Sequence, residues 1–292
     1  MIQGFLNYLQ FELRRSPRTI KSYSEDLTAF ESFFREVEQV PSWKSVDPDN
    51  IRNWMESMMD KGNSATSVNR RLSALRSLYR FALSRGLVDK DPTHHIVGPK
   101  KEKPLPQFLK ENEMDRLLDD VEWGSDYKEV RARTIIIMFY ETGIRLSELI
   151  GLDDSDVDFG NQQLKVMGKG NKQRIIPFGK ELEAALKKYI GQRDNDVDSQ
   201  DTALFASDKG KRMSPEQVRS EVKRHLATVC TLKKLSPHVL RHTFATTMLN
   251  HGAGIESIRR LLGHESVSTT EIYTHTTFEQ LKRVYEKAHP RA

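Results

Sequence analysis

Apolar side chains recur every three or four residues through the first hundred positions, the spacing that places them on one face of an α-helix. Helices are predicted to begin after Ser16, after Asp47 and at about Ser64, because a short polar capping residue, followed in the first two by proline, is typical of a helix start. Together with an amphipathic N-terminus, they predict a first domain of about four helices. The apolar positions of the three helices are Ile20, Tyr23, Leu27, Phe30, Phe34, Ile51, Trp54, Met55, Met58, Val68, Leu72, Leu75, Leu78, Tyr79 and Ala82.

The second half of the chain combines helical spacing with one stretch of alternation. Residues 111–118 and 131–140 are expected to be helical. Residues 157–178 alternate between apolar and polar positions and are interrupted by turns rich in glycine and asparagine, which predicts short strands. Helical spacing resumes from Glu181. We therefore predict a second domain that is mainly α, with one small antiparallel β-sheet.

A segment that starts at Gly98 separates these two halves. It contains three prolines and three lysines within ten residues, and it follows no helical or strand period. Such a segment is typical of a semi-extended linker. The sequence therefore predicts a helical domain over 1–97, a linker over 98–106 and a second domain over 107–292.

Composition limits the class of protein. A chain of 292 residues can form two domains that each bury a core, and 37% hydrophobic with 30% charged residues is typical neither of a membrane protein nor of a disordered one. The longest apolar run, 135–140, is far shorter than the ~20 residues of a membrane-spanning helix. No secretory signal is evident. The single cysteine, Cys230, excludes an intramolecular disulfide and favours a reducing compartment.

The distribution of charge says more than the net charge of +5. Residues 64–85 contain five arginines and no acidic residue, and residues 160–180 contain four lysines and an arginine, again without an acidic residue. Two basic segments in different halves of the chain indicate one polyanion contacted from two sides. The pattern favours nucleic-acid binding.

A cluster of histidine and arginine lies near the C-terminal end. Ser236 and Pro237 predict a helix start with a side-chain cap, and His238, Arg241 and His242 then follow at helical intervals. At least His238 and Arg241 share one face of that helix, where a forked donor beside an imidazole suits a phosphate oxygen and a moving proton. Taken alone, the same pattern also describes a solvated basic patch.

Motifs elsewhere in the chain support a functional role for this cluster. E-T-G-I-R-L-S-E-L-I-G-L from Glu141 places Arg145 near the start of a helix, and M-G-K-G-N-K-Q-R-I-I-P-F from Met167 places Lys169 at a hairpin tip. Six residues in this order resemble the active site of the tyrosine recombinase (phage integrase) family. The segments from Arg18 and from Arg70, and the final F-E-Q-L-K-R-V-Y-E-K-A-H-P, resemble the Xer branch of that family. The six residues are Arg145, Lys169, His238, Arg241, His264 and Tyr273.

The resemblance implies a fold and a reaction. The fold would be an N-terminal four-helix SAM-like domain that binds core DNA, followed by the mostly helical catalytic domain. The reaction would be attack on a phosphodiester by Tyr273, giving a phosphotyrosyl intermediate that conserves the bond for rejoining. Arg145 and Arg241 would clamp the non-bridging oxygens in forked geometry. A lone tyrosine is otherwise a half-buried aromatic, and either arginine alone could form a surface ion pair.

The remaining residues of the pattern have supporting chemistry. Lys169 is implied as the general acid toward the 5′ oxygen, although a lysine in such a turn is ordinarily just solvated. His238 would transfer a proton or hold the phosphate, and the sequence leaves this open. His264 would donate a hydrogen bond to the phosphate, or simply cap a helix. Glu148, one turn after Arg145, would orient Arg145 or His238 without being catalytic. His242 and His275 lie outside the pattern and are expected to be structural.

The DNA contacts of the first domain are predicted at a helix start. Short polar side chains followed by arginine suit phosphate and base-edge contacts, whereas the alternative is a solvated helix face. The absence of acidic residues nearby favours DNA. The residues expected to contact DNA, including those of the linker, are Lys21, Ser64, Arg70, Arg71, Lys100 and Lys101.

Partners and cofactors follow from the same resemblance. We expect no metal site and no cofactor, because protein cations surround the phosphate and no phosphate-binding loop motif or paired-carboxylate signature of a two-metal nuclease is present. The resemblance implies a homo- or hetero-tetramer on paired DNA sites, a Holliday-junction intermediate, an FtsK-like DNA translocase and a cytoplasmic location. A C-terminal helix over about 277–288 would dock into a neighbouring protomer, unless it packs on its own domain.

Three other functions remain open from the sequence. An integrase or excisionase of a mobile genetic element would use the same chemistry. A type IB topoisomerase shares part of the residue set, but the N-terminal motifs argue against it. A non-catalytic DNA-binding protein on the same scaffold is disfavoured because all six positions carry competent side chains.

Overall fold

The computed structural model describes residues 1–38, 41–101, 107–168, 172–198, 201–263 and 275–292. The chain divides into two units, Met1–Pro104 and Leu105–Ala292. Both are built mainly from helices, as predicted. Within the described residues, no helix is both long enough and apolar enough to span a membrane.

The first unit contains the helices that the apolar spacing predicts. Ser16 caps the second helix by accepting a 3.2 Å hydrogen bond from Thr19 N, and Asp47 caps the third by accepting a 2.8 Å bond from Asn50 N. Both predicted starts are therefore confirmed. In chain order the elements are α1 (Ile2–Asn7), a π-helical segment (Tyr8–Glu12), α2 (Pro17–Val37), α3 (Pro48–Asp60) and α4 (Ala65–Ser84).

Aromatic rings form the centre of the first unit. The ring of Phe30 lies 4.9 Å from that of Trp54 and 5.6 Å from that of Trp43, between centroids. Tyr79 is fully buried, and its Oη donates a 2.9 Å hydrogen bond to the Trp43 carbonyl. Most of the predicted apolar positions are buried in this core, and Ile20, Tyr23 and Met55 pack at its edge. These aromatic residues therefore serve packing.

The second unit is built around one central helix. That helix runs further in both directions than predicted, from Tyr127 to Thr142, and it is buried on nearly all sides. The helix predicted over 111–118 ends as an α-helix at Asp115 and continues as a π-helical segment over Arg116–Asp120. The α-helices of the second unit are α5 (Glu111–Asp115), α6 (Tyr127–Thr142), α7 (Leu146–Ile150), α8 (Lys180–Asp196), α9 (Pro215–Val229), α10 (Pro237–Asn250), α11 (Ile255–Leu262) and α12 (His275–Ala288).

A three-stranded antiparallel sheet completes the second unit, which confirms the predicted fold class. Its strands β1 (Val157–Asp158), β2 (Gln163–Met167) and β3 (Gln173–Pro177) lie side by side in chain order. Leu164 pairs with Ile176 and Val166 pairs with Arg174, and all four side chains lie on the buried face. An arginine thus occupies a core-facing position of β3.

The last helix packs on its own unit. Its residues Leu281, Tyr285 and Ala288 are buried, and its nearest elements are α10, α11 and β3. The helix is described from His275 onward, which includes the predicted range from residue 277. These three residues are therefore buried within one chain, and the docking of α12 into a neighbouring protomer stays a prediction.

Candidate active site

A glycine turn at the end of α6 places Arg145. Gly143 has a φ of +59°, and a Cβ at this position would lie 2.5 Å from Phe244 Cδ1, so both the backbone conformation and the lack of space require glycine. Arg145 follows as the N-cap residue, directly before α7. Its backbone N–H donates a 2.7 Å hydrogen bond to Glu148 Oε2. The carboxylate of Glu148 thereby fixes the first turn of α7.

The side chain of Arg145 is held from one side and open on the other. Its Nη1 donates a 2.8 Å hydrogen bond to Glu148 Oε1, and its Nη2 donates a 2.9 Å bond to the Gly263 carbonyl. One third of the side chain, 33%, remains exposed. Arg145 is therefore oriented by the protein while part of its donor surface faces outward. Among the described residues, the contacts of Glu148 support an orienting role toward Arg145, which stays a prediction.

Arg241 reaches the same place from α10. This helix begins at Pro237, as predicted, and Ser236 precedes it, although within the described residues its hydroxyl makes no capping hydrogen bond. The side chain of Arg241 is buried. Its Nη1 donates to the Gly143 carbonyl, and its Nη2 donates a 2.7 Å bond to the Leu262 carbonyl. Arg241 is therefore held by the Gly143 turn that precedes Arg145 and by the same end of α11 that binds Arg145.

A third arginine completes the arrangement. Arg174 on β3 is buried, and its Nε donates a 3.0 Å hydrogen bond to the Leu261 carbonyl. The last carbonyls of α11 and its cap, those of Leu261, Leu262 and Gly263, thus accept bonds from Arg174, Arg241 and Arg145 in turn. A helix C-terminus carries partial negative charge and unpaired carbonyls, which suits three cations.

The electrostatics of this cluster favour an anion. Burial lowers the pKa of Arg241 to about 10, and the nearby charge of Arg145 adds to this lowering, against an opposing effect of Glu148. Burial alone would raise the pKa of Glu148, but hydrogen bonds and charge from Arg174, and then bonds from Arg145, lower it to about 2. Three guanidinium groups thus surround one carboxylate that is ionised at neutral pH. A phosphate group would relieve the remaining repulsion among the cations.

His238 lies one turn before Arg241 on the same helix. It is exposed, and its pKa is lowered by partial desolvation and by its neighbours His242 and Arg241. A histidine with a lowered pKa is neutral near pH 7 and can accept a proton. His242 is also exposed on α10.

Three of the predicted residues, Lys169, His264 and Tyr273, lie outside the described residues. The residues that precede two of them border the arginine cluster. A Cβ on Gly168 would lie 3.7 Å from Arg174 Nη1, and a Cβ on Gly263 would lie 3.1 Å from the same atom. The structure therefore brings together Arg145, Arg241 and Glu148, with His238 close by, at the point where the chain continues to Lys169 and to His264.

Arg174 was not among the predicted site residues. A signal was present, because Arg174 alternates in phase with the apolar Ile176 along a predicted strand. A charged side chain on the buried face of a strand needs a partner, and such residues are often functional. Sequence spacing alone does not identify Glu148 as that partner.

The predicted DNA-contacting residues of the first unit differ in their surroundings. Lys21, Ser64 and Arg70 are exposed, and Ser64 caps α4 by accepting a 3.3 Å hydrogen bond from Ser67 N. In the linker, Lys100 and Lys101 are exposed. They follow Pro99, whose carbonyl accepts a 2.8 Å bond from Asn69 Nδ2 of α4. These residues are available to an outside partner.

Arg70 and Arg71 have an acidic neighbour in space, although no acidic residue lies near them in the sequence. Asp26 of α2 is buried, its Oδ2 accepts from Arg70 Nη1, and its Oδ1 lies 3.7 Å from Arg71 Nε. Burial raises the pKa of Asp26, against the opposing charges of Arg70 and Arg71. The argument from missing acidic residues is therefore wrong for this pair, while their contact with DNA stays a prediction. About half of the Arg70 side chain, 48%, remains exposed.

Comparison with known proteins covers nearly the whole chain. The phage integrase family model matches residues 107–280, and the model of the phage integrase N-terminal SAM-like domain matches residues 2–86. Tyrosine recombinase XerC of Chlorobaculum parvum is 36% identical, over 100% of this chain and 94% of that protein. Tyrosine recombinase XerD of Oceanobacillus iheyensis is 34% identical, over 100% of this chain and 98% of that protein.

Solved structures agree with this assignment. The crystal structure of XerA recombinase is 30% identical, with a TM-score of 0.50 over 100% of this chain and 98% of that one. XerH recombinase, bound to its palindromic difH substrate in a post-cleavage complex, is 24% identical, with a TM-score of 0.72 over 90% of this chain and 78% of that one, and so supports the fold. On the extent of these matches, the chain belongs to the phage integrase family and is a tyrosine recombinase.

Proposed function

We propose that this chain is a site-specific recombinase that cuts and rejoins duplex DNA through a 3′-phosphotyrosyl intermediate and a Holliday junction. The observation that carries the proposal is the joint anchoring of Arg145 and Arg241. Both guanidinium groups are held on consecutive carbonyls at the end of α11, and burial, together with the charge of Arg145, lowers the pKa of Arg241. Two forked cations held this close are suited to the non-bridging oxygens of one phosphodiester.

Each of the remaining residues has one role in the proposed reaction. The Oη of Tyr273 attacks the phosphorus in line, a Tyr–phosphate bond forms, and the bond to the 5′ oxygen breaks. Lys169 protonates the departing 5′ oxygen, while Arg145 and Arg241 stabilise the charge on the non-bridging oxygens. His264 donates a hydrogen bond to the phosphate. Rejoining reverses these steps with the 5′ hydroxyl of another strand.

His238 and Glu148 support this chemistry in different ways. His238 carries a lowered pKa and a place beside Arg241, which suits it to accept a proton from Tyr273 or to hold the phosphate. Glu148 does not touch the phosphate in this account. Its carboxylate orients Arg145 through the 2.7 and 2.8 Å hydrogen bonds from that residue.

Each unit contributes to DNA binding. In the first unit and the adjoining segment, Arg70, Arg71 and Lys21, with Ser64, Lys100 and Lys101, would contact the phosphate backbone and base edges. The exposure of most of these side chains supports this assignment. The substrate would be a duplex recombination site, since XerH was solved with its palindromic difH substrate.

Assembly and biological role rest on the relatives. The XerC and XerD names of the matched proteins support resolution of chromosome or plasmid dimers before cell division. The active complex would be a homo- or hetero-tetramer on two paired sites, with α12 of each protomer docked into the next to close a ring. An FtsK-like DNA translocase would control the reaction. The domain limits would be 1–97 and 107–292, joined by 98–106.

A plasmid assay tests this function. The DNA site is first recovered from fragmented genomic DNA by its retention on the full-length protein. Two copies of that site in the same orientation are then placed on one plasmid. A recombinase resolves this plasmid into two circles, and inverted copies give inversion of the intervening segment. A protein that binds the site but leaves both plasmids unchanged, alone and with the second subunit of a hetero-tetramer, would instead be a DNA-binding protein without catalysis.

A further inference from the structure

We propose that Arg174 is the positioning residue of this active site, holding the carboxylate of Glu148, and through it Arg145, against the end of α11. The inference rests on the proposed function and deepens it, because Arg174 itself touches no reacting atom. It assigns a role to a side chain that enters the site from the β-sheet.

The contacts of Arg174 use most of its donor groups. Its Nη1 and Nη2 donate 2.8 Å hydrogen bonds to Glu148 Oε1 and Oε2, and its Nε donates to the Leu261 carbonyl. The pairing with Glu148 is bidentate, the geometry that only arginine provides. Only 6% of the Arg174 side chain and 3% of the Glu148 side chain are exposed. The Arg174–Glu148 pair is therefore a rigid, buried part of the site.

The same carboxylate holds Arg145. Glu148 Oε1 accepts from both Arg174 Nη1 and Arg145 Nη1, and Oε2 accepts from Arg174 Nη2 and from the Arg145 backbone. With four donors on two oxygens, the carboxylate has little freedom to rotate. Among the described residues, loss of Arg174 would leave Arg145 as the one cation hydrogen-bonded to the buried carboxylate, and that carboxylate would then compete with a phosphate for Arg145.

Arg174 also fixes the chain on both sides of the site. Gly263 has a φ of +64°, and a Cβ there would lie 3.2 Å from Arg174 Cζ, so the backbone passes directly against the guanidinium group. Gly168 lies near the same group, and its backbone N–H donates a 2.7 Å hydrogen bond to the Lys172 carbonyl across the hairpin. The residues after Gly168 and Gly263 are Lys169 and His264. Arg174 thus borders both described segments that lead to these two residues.

The test compares Arg174→Lys with Arg193→Lys in the full-length protein. Arg193 is a matched control because 6% of its side chain is exposed and it binds Asp154 bidentately, with bonds of 2.7 and 2.8 Å. Both substitutions keep the positive charge but remove the guanidinium group that binds a carboxylate bidentately. For each we would measure the melting temperature, the DNA Kd and the single-turnover rate of covalent adduct formation on a nicked duplex at saturating DNA.

The positioning role predicts a rate effect without a binding effect. Arg174→Lys should lower the rate of adduct formation by about 100-fold, the order expected when a charge-stabilising donor is misplaced. Its Kd should change by less than about fivefold, and Arg193→Lys should cleave like the wild type. Equal cleavage rates in the two variants would overturn the assignment. Absence of the adduct in the wild type itself would overturn the proposed function and this inference together.

A double-variant cycle tests whether Arg174 acts through Glu148. If the two residues work as one unit, Arg174→Lys combined with Glu148→Gln should cleave no more slowly than the slower single variant. Multiplied losses would show that Arg174 acts by another route and would overturn the inference. Should Arg174→Lys not fold, Glu148→Asp shortens the shared carboxylate with both arginines intact. It should then show the same loss of rate at unchanged Kd, and a normal rate would contradict the assignment.

Discussion

Tyr285 on α12 donates a 3.1 Å hydrogen bond from its Oη to Glu141 Oε2 at the end of α6. Glu141 also accepts from the backbone N–H groups of Gly179, at 2.9 Å, and Leu182, at 3.1 Å, which begin α8. The carboxylate stands two residues before Gly143 and four before Arg145. One buried group therefore ties the last helix to the helix that carries the active-site turn.

This buried carboxylate predicts a dependence of stability on pH. Burial raises the pKa of Glu141 to about 8, from 4.5, against opposing hydrogen bonds from Gly179, Tyr285 and Leu182. The folded state thus retains a proton that the unfolded state has lost, so stability falls as pH rises through this window. Between pH 6.5 and 8 the loss should be about 2 kcal/mol. Burial lowers the pKa of His289 to about 4, so its effect lies below pH 6.5.

Glu141→Gln provides the matched comparison. The neutral amide can still bond Tyr285 but leaves one backbone N–H unpaired, which should cost about 1 kcal/mol at every pH. Its melting temperature should therefore start lower at pH 6.5 and decline less toward pH 8 than that of the wild type. Parallel declines in both proteins would mean that Glu141 is already ionised in the folded state.

Arg145→Lys should separate catalysis from binding. Lysine keeps the charge but cannot bond Glu148 and a phosphate in forked geometry, so we expect adduct formation to slow by about 100- to 1000-fold with a nearly unchanged Kd. Arg259→Ala is the control, since Arg259 lies on α11 with 42% of its side chain exposed and pairs with Glu256 at 3.3 Å. A comparable loss of rate in the control would indicate a general effect of charge around α11.

The Asp26–Arg70 pair changes how the DNA contact must be tested. Replacing Arg70 alone would leave a buried carboxylate short of its partner. The double variant Asp26→Asn/Arg70→Ala is therefore compared with Asp26→Asn. The two proteins differ only in the Arg70 side chain, and neither contains the buried carboxylate. If Arg70 contacts a phosphate, the dependence of log Kd on log salt concentration should flatten by ~1. Arg85→Ala should leave it unchanged, because Arg85 binds Glu12 through two 2.8 Å bonds.

Cleavage should not require an added metal ion. The positive charge at the phosphate comes from Arg145 and Arg241, with Lys169 and a hydrogen bond from His264 in the proposed mechanism, so adduct formation should proceed in excess EDTA and without ATP. The assay should score cleavage, since divalent ions also affect DNA compaction and synapsis. Cleavage lost in EDTA and restored by magnesium would point to a metal-dependent mechanism.

Local features of the fold were predictable from the sequence because local residues determine them. Ser16 and Asp47 cap their helices within three residues, and the alternation over 157–178 specifies strands whose buried faces follow from a period of two. The family was likewise predictable, because the order of the six candidate residues is a property of the chain alone.

Long-range pairings were not predictable in this way. Asp26 pairs with Arg70 from 44 residues away, and Arg174 pairs with Glu148 from 26 residues away, so neither partner can be read from spacing. The surface that buries the apolar residues of α12 was similarly open, because an apolar pattern predicts burial but not the surface that provides it. Tyr285 lies against Glu141, an acidic residue that the apolar pattern does not predict as its neighbour.

The most direct test is the covalent adduct itself. Tyr273→Phe removes one oxygen and keeps the ring, so the variant should bind the recombination site with the wild-type Kd. On a duplex nicked near the cleavage point, the wild type should form a protein–DNA adduct that survives a denaturing gel, and the variant should form none. An adduct formed by Tyr273→Phe would contradict the assignment of Tyr273 as the nucleophile and, with it, the proposed mechanism.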